Sequence, residues 1–202
     1  MSAKNKASMV KAGVFFICLV PLIYLIWGLF TDNLGANPVE TLTRSSGLWA
    51  LRFLLITLLV SPMRWYTGLT VVVKYRRMLG LYAFFYAFVH MLLYLGLDQL
   101  FNIHDIWKDI IKRPFITVGF ISFILLLPLV VTSTNKMIKR LGGKRWKRLH
   151  RLTYLVASLS CLHFLMLVKA DIREPVIYIL LLLALFFVRF LHSFNKKKLV
   201  TR

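Results

Sequence analysis

The sequence predicts an all-α, polytopic membrane protein: a six-helix transmembrane bundle forming one domain over residues 1–202, with both termini in the cytoplasm. Three observations carry that prediction. Apolar residues make up 59% of the chain, well above the soluble norm. They gather into six runs, most of them close to the roughly 20 residues that cross a hydrocarbon layer of about 30 Å. The basic residues fall between those runs with a strong bias toward alternate segments, which sets an orientation.

The first run, Val10–Phe30, is too long for a signal-peptide core, and no small-x-small cleavage site follows it. It reads as a retained anchor. The second, Leu48–Met63, is the shortest, and its helix can begin upstream. Met78–Leu97, Phe115–Thr132, Leu149–Val168 and Pro175–Phe194 complete the set. Pro38, Pro114 and Pro175 sit in loops or at helix starts, where a missing N–H costs nothing. Pro21 and Pro128 fall inside runs and predict kinks. The outer stretch "DQLFNIHDIWKD" has the pattern of a short amphipathic helix lying on the membrane. Cys18 and Cys161 lie in apolar runs outside any C-x-x-C pattern and read as small fillers. No internal repeat is visible, and the "LGG" at Leu141–Gly143 reads as an ordinary turn.

With the N-terminus in the cytoplasm, 20 of the 27 Lys and Arg residues fall on the inner side, eight of them between Lys136 and Arg151. All seven acidic residues (Asp32, Glu40, Asp98, Asp105, Asp109, Asp171 and Glu174) fall on the outer side. Acidic residues contribute little to topology, so their placement describes an outer face suited to a docking partner. The net charge of +20 does not indicate nucleic acid, because no soluble stretch is long enough to fold a basic reading face.

The candidate chemistry lies in the histidines. His163 is 13 residues past His150, about 20 Å along a helix, which puts it in the outer half of the membrane. His90 is twelve residues into a helix of the same direction, about 18 Å deep. Intramembrane ionisable residues are costly and signal function by default, and two at matched depth point to a shared site. Neutral imidazole is a good iron ligand, and no Asp or Glu lies at that depth to complete a di-iron site. Two imidazoles without a carboxylate fit a six-coordinate heme suited to electron transfer. His150 sits in "KRWKRLHRL", either as a solvated anchor or as part of a second, inner site facing Arg76 and Arg77. Arg52, inside the second helix, suits a heme propionate or snorkels to the outer interface. His104 reads as a loop residue and His192 as interfacial.

The stretches "NLGANPVETLTRSSGLWALRFLLITLLVSP", "RRMLGLYAFFYAFVH", "KRPFITVGFISFILLLPLVVTST" and "LGGKRWKRLHRLTYLVASLSCLHF" resemble the MsrQ (YedZ) family almost end to end. That family holds membrane heme subunits of bacterial methionine sulfoxide reductase systems, within the ferric-reductase-like transmembrane group that includes NADPH oxidases. The resemblance implies a b-type cytochrome of the inner membrane. It would pass electrons from membrane quinol or a cytoplasmic flavin reductase to MsrP, a periplasmic molybdopterin enzyme that repairs methionine sulfoxide. By this resemblance His90, His150 and His163 match heme-associated positions, and the cofactors are heme b, one or two, with FMN. The wider group carries two histidines on each of two helices, whereas here the fourth position falls at Arg76 or Arg77. Arginine does not ligate iron but binds phosphate well, so a flavin beside His150 is the alternative to a second heme.

Competing expectations are a stand-alone ferric or oxygen reductase and, in a different class, a transporter or scaffold with structural histidines. No G-x-G-x-x-G occurs, and the loops left by six spans are too short for a nucleotide-binding unit, so hydride transfer from a nicotinamide needs another protein.

Overall fold

A computed structural model describes residues 3–200, except the side chains of residues 3, 4, 6, 7 and 196–200. The side chains of Lys4, Lys6 and Lys196–Lys198, and all of Arg202, counted above as inner charges, lie outside the described part. The described residues form helices α1 (Ala3–Phe30), α2 (Pro38–Thr67), α3 (Arg76–Leu93), α4 (Ile103–Lys112), α5 (Pro114–Val131), α6 (Asn135–Leu141), α7 (Gly143–Leu149), α8 (Leu152–Leu167) and α9 (Arg173–Val200). A 3₁₀ turn at Val71–Tyr75 leads into α3, and a π turn at Tyr94–Asp98 extends it.

Among the described residues five segments are long and apolar enough to cross a membrane: Ser8–Phe30, Pro38–Thr67, Val71–Asp98, Pro114–Val131 and Arg173–Asn195. The run expected at Leu149–Val168 is divided. The chain turns at His150 and Arg151, and α8 keeps 16 residues, about 24 Å by the helical rise. Helix α2 begins ten residues before the expected Leu48. Its first turns are polar, which hid them from hydropathy. They are helical because Asn37 accepts the Glu40 N–H at 3.2 Å and Pro38 occupies the first helical position. At the other end Gly68, at φ 70°, returns its N–H to the Arg64 carbonyl. The amphipathic helix expected from "DQLFNIHDIWKD" is α4, which exposes Ile103, Trp107 and Ile111 along one side. The inner loop is two short helices, α6 and α7, hinged at Gly142.

Helix α2 is central: half of its most apolar window is buried, against 11–22% for the other four segments. Its Leu51, Phe53, Leu54, Leu55 and Leu58 pack with Tyr82, Ala83 and Tyr86 of α3, Leu126 and Leu129 of α5, Val156, Ala157 and Cys161 of α8, and Leu182 of α9. Lipid tails are as apolar as leucine, so close approach through small residues and interhelical polar contacts must hold such a bundle. Both occur between α5 and α8, where Ser122 Oγ lies 2.9 Å from Ser160 Oγ and Val156 and Ala157 are fully buried. At Pro21 the α1 ladder opens. The Tyr86 hydroxyl donates to the Cys18 carbonyl at 2.8 Å and accepts the Leu22 N–H at 3.2 Å, bridging a pair that an unbroken helix would join directly.

Candidate functional site

Helices α3 and α8 bring His90 and His163 together edge-on, with ring centres 6.2 Å apart and planes at 75°. Each imidazole is tied to a backbone carbonyl of the helix beside it. His90 Nδ1 lies 2.8 Å from the Thr43 oxygen of α2, and His163 Nδ1 lies 2.7 Å from the Phe115 oxygen of α5. A carbonyl only accepts, so each Nδ1 carries the proton and each Nε2 keeps its lone pair. Bonds of this kind orient metal-bound histidines and fix their tautomer.

The two halves repeat a local design. One turn beyond Thr43 is Gly47, where an added Cβ would stand 3.0 Å from His90 Nδ1 and Cε1. One turn beyond Phe115 is Gly119, where it would stand 2.8 Å from His163 Nδ1 and 2.9 Å from Cε1. The missing side chains let both rings lie against helix backbone. Thus a helix pair with a carbonyl, a glycine and a histidine in fixed register occurs twice. The glycines are 72 residues apart and the histidines 73. No repeat was legible in the sequence, because only these few positions recur while the apolar filling does not. The signal that could have found it is a glycine one helical turn past the carbonyl that anchors each histidine.

The arrangement fits a metal held between two imidazoles. A metal–imidazole bond is about 2 Å, and a ring centre is roughly 1 Å from its nitrogen, so opposed ligands put ring centres about 6 Å apart. Among the described residues no group of three or more His, Cys, Asp or Glu side chains converges, so the donor set here is two imidazoles and no more. A planar macrocycle that supplies four equatorial ligands of its own suits such a pair.

His150 differs. Its Nε2 lies 3.2 Å from Thr132 Oγ1, whose own proton goes to the Pro128 carbonyl at 2.6 Å. His150 therefore donates from Nε2, the reverse of the outer pair. Trp146 stacks on it at 4.0 Å and donates its Nε1–H to the Thr132 carbonyl. Arg76 donates to Ser61 Oγ at 3.2 Å, and Arg77 reaches Asn135 Oδ1 at 2.5 Å. Arg52 donates from Nε to the Tyr178 hydroxyl at 2.8 Å and covers the Trp49 ring, so it links α2 to α9. His104 is exposed on α4, and His192 stacks on Trp65 with ring centres 4.0 Å apart. Cys18 and Cys161 are buried free thiols. The residues sequence reasoning missed are Gly47, Gly119 and Arg189 of α9, which Tyr154 and the Leu58 carbonyl hold inside the bundle.

Residues 46–161 match the family described as ferric reductase like transmembrane component. Across nearly the whole chain, curated relatives are similar. One from Rhodospirillum rubrum, called protein-methionine-sulfoxide reductase heme-binding subunit MsrQ, is 46% identical over 96% of this chain and 94% of its own. Proteins of the same description from Herminiimonas arsenicoxydans and Azospira oryzae are 44% and 50% identical. The first covers 94% of this chain and 88% of its own, the second 88% and 77%.

Proposed function

The chain belongs to the ferric-reductase-like transmembrane family and to its MsrQ branch, and from that premise we propose that it is the heme-bearing electron-transfer subunit of a methionine sulfoxide reductase system. It is an all-α, multi-pass membrane protein. In the proposed reading α8 counts as a sixth span in a bacterial inner membrane, and both termini are cytoplasmic, which the bias of basic residues favours.

One observation carries the functional reading. His90 and His163 come together with ring centres 6.2 Å apart, both with Nδ1 spent on a carbonyl and Nε2 free. These residues would hold one heme b from both sides. Heme supplies one-electron chemistry at a potential set by its axial ligands and surroundings. The protein's part is to hold both imidazoles as neutral Nε2 donors, to leave no open iron position, and to place the site among apolar helices. Acceptance of the electron by a periplasmic MsrP-type catalytic subunit is the proposed next step, which makes this chain a carrier and not the catalytic subunit.

At the inner end, His150, Arg76 and the basic segment Lys136–Arg151 are proposed to meet the electron source. The source is membrane quinol or a cytoplasmic flavin reductase, with FMN or a second heme held locally. The tautomer and bonding of His150 favour a phosphate-bearing flavin over an axial ligand at that end. Arg52, whose Nε is held by the Tyr178 hydroxyl, is proposed to meet a heme propionate.

The test is optical. Purified protein is expected to show a low-spin b-type spectrum, and His90→Ala and His163→Ala are each expected to abolish the same signal. A variant of either residue that keeps full heme content and an unchanged spectrum would refute the pairing.

A further inference from the structure

Arg189 lies in the part of α9 apolar enough to span the membrane. Its Nη1 donates to the Tyr154 hydroxyl at 3.0 Å, its Nη2 donates to the Leu58 carbonyl, and its charge lies 5.6 Å from the Trp65 ring centre. The contact with Leu58 has a simple origin. In an α-helix that carbonyl accepts the N–H of residue 62, and residue 62 is a proline. Arg189 fills the gap that Pro62 leaves in the α2 ladder.

That role does not account for the charge. A neutral donor would satisfy one carbonyl without placing a cation in a spanning helix. Arg189 Nε is buried with no hydrogen-bond partner. Arg76 is fixed to Ser61, one turn along α2 from Leu58. The ion pairs among the described residues, Arg44–Glu40, Arg113–Asp109 and Arg173–Asp171, involve neither arginine. Two guanidinium groups anchored on α2 residues one turn apart, without a carboxylate, repel each other, and an oxyanion seated between them reverses the sign.

We propose that Arg189 and Arg76 form an oxyanion clamp at the inner end of the bundle, gripping the phosphate or carboxylate tail of a planar redox group. The proposal rests on the electron-transfer reading above and adds α9 to the inner site. Arg77, expected there from sequence, is instead turned to Asn135.

Pro62 makes the clamp testable apart from folding. Pro62→Ala returns an N–H to the Leu58 carbonyl, so Pro62→Ala/Arg189→Gln keeps the α2 ladder closed while removing the charge. Purified wild type, Pro62→Ala, the double variant and Arg76→Gln are titrated with FMN against riboflavin, and with heme against its dimethyl ester. Wild type and Pro62→Ala are expected to prefer the tail-bearing member of one pair, which identifies the source of the oxyanion. The double variant and Arg76→Gln are expected to lose that preference by about tenfold or more, the worth of one charge-assisted hydrogen bond. A double variant with wild-type preference reduces Arg189 to a helix repair and overturns the clamp. So does wild type with no preference in either pair, or loss of a tightly bound phospholipid in place of the redox group. Absence of a low-spin heme in wild type overturns the functional reading alone, because the FMN and riboflavin comparison is read without it.

Discussion

Gly119→Ala is the smallest change that tests whether backbone glycines position the imidazoles. The new methyl would stand 2.8 Å from His163 Nδ1 and 2.9 Å from Cε1, whereas ordinary contact begins near 3.4 Å. The ring must retreat by about half an ångström, and it is pinned on the same edge by its 2.7 Å bond to the Phe115 carbonyl. Overpacking of this kind costs about 1–3 kcal/mol. Alanine recovers at most about 1 kcal/mol of helix propensity. The remainder is relieved by tilting the imidazole, which redirects Nε2 away from His90. Gly47→Ala is the internal control, because its closest approach is 3.0 Å and its overlap is smaller. The expected order of damage is therefore Gly119→Ala above Gly47→Ala. Heme content per protein, the low-spin absorption bands and a potentiometric titration are read on the same sample, with circular dichroism to establish that the helices persist. A Gly119→Ala protein with wild-type heme content, spectrum and midpoint potential would show that the ring is not held by that contact, and the positioning argument would fail.

Other outcomes follow from the same geometry. His150→Ala and Arg76→Ala are expected to slow heme reduction from the cytoplasmic side while leaving most of the outer heme signal; loss of all heme in both would contradict separate inner and outer sites. Tyr86→Phe removes the hydroxyl between the Cys18 carbonyl and the Leu22 N–H, and is expected to cost about 1 kcal/mol in thermal or denaturant unfolding. No loss would mean that α1 closes its own ladder. NADPH added alone to purified protein is expected to leave the heme oxidised, with reduction appearing on addition of a flavin reductase or a quinol. Rapid reduction by NADPH alone would favour a self-contained reductase.

What the sequence made legible was periodic or compositional. Apolar runs located the helices, and helical rise matched His90 to His163 in depth before any contact was known. Local chemistry outside those signals stayed hidden. The first ten residues of α2 are helical because of Asn37 and Pro38, and a hydropathy window sees only their polar side chains. The division of the fifth run depends on a turn at His150 and Arg151 that has no Gly or Pro to announce it. Arg189 read as an inner-edge charge, since nothing in the order of residues says that Pro62, 127 positions earlier, leaves a carbonyl for it to fill.

The paired design also explains why the two ends of the bundle differ. The offset that carries His90 onto His163 carries Arg77 onto His150. At the His90–His163 end both members are imidazoles, and on the proposed reading this pair would hold a metal. At the inner end one member is a guanidinium, which has no lone pair to give and is always charged. The Nε2 of His150 is there committed to Thr132. A metal cation would be repelled where an oxyanion would be bound. On the proposed reading the same fold would build a metal-binding end and an anion-binding end from one register, with an arginine standing where the other end has a histidine. Electrons moving outward along the bundle would pass from a group bound by its negative tail to one bound by its metal.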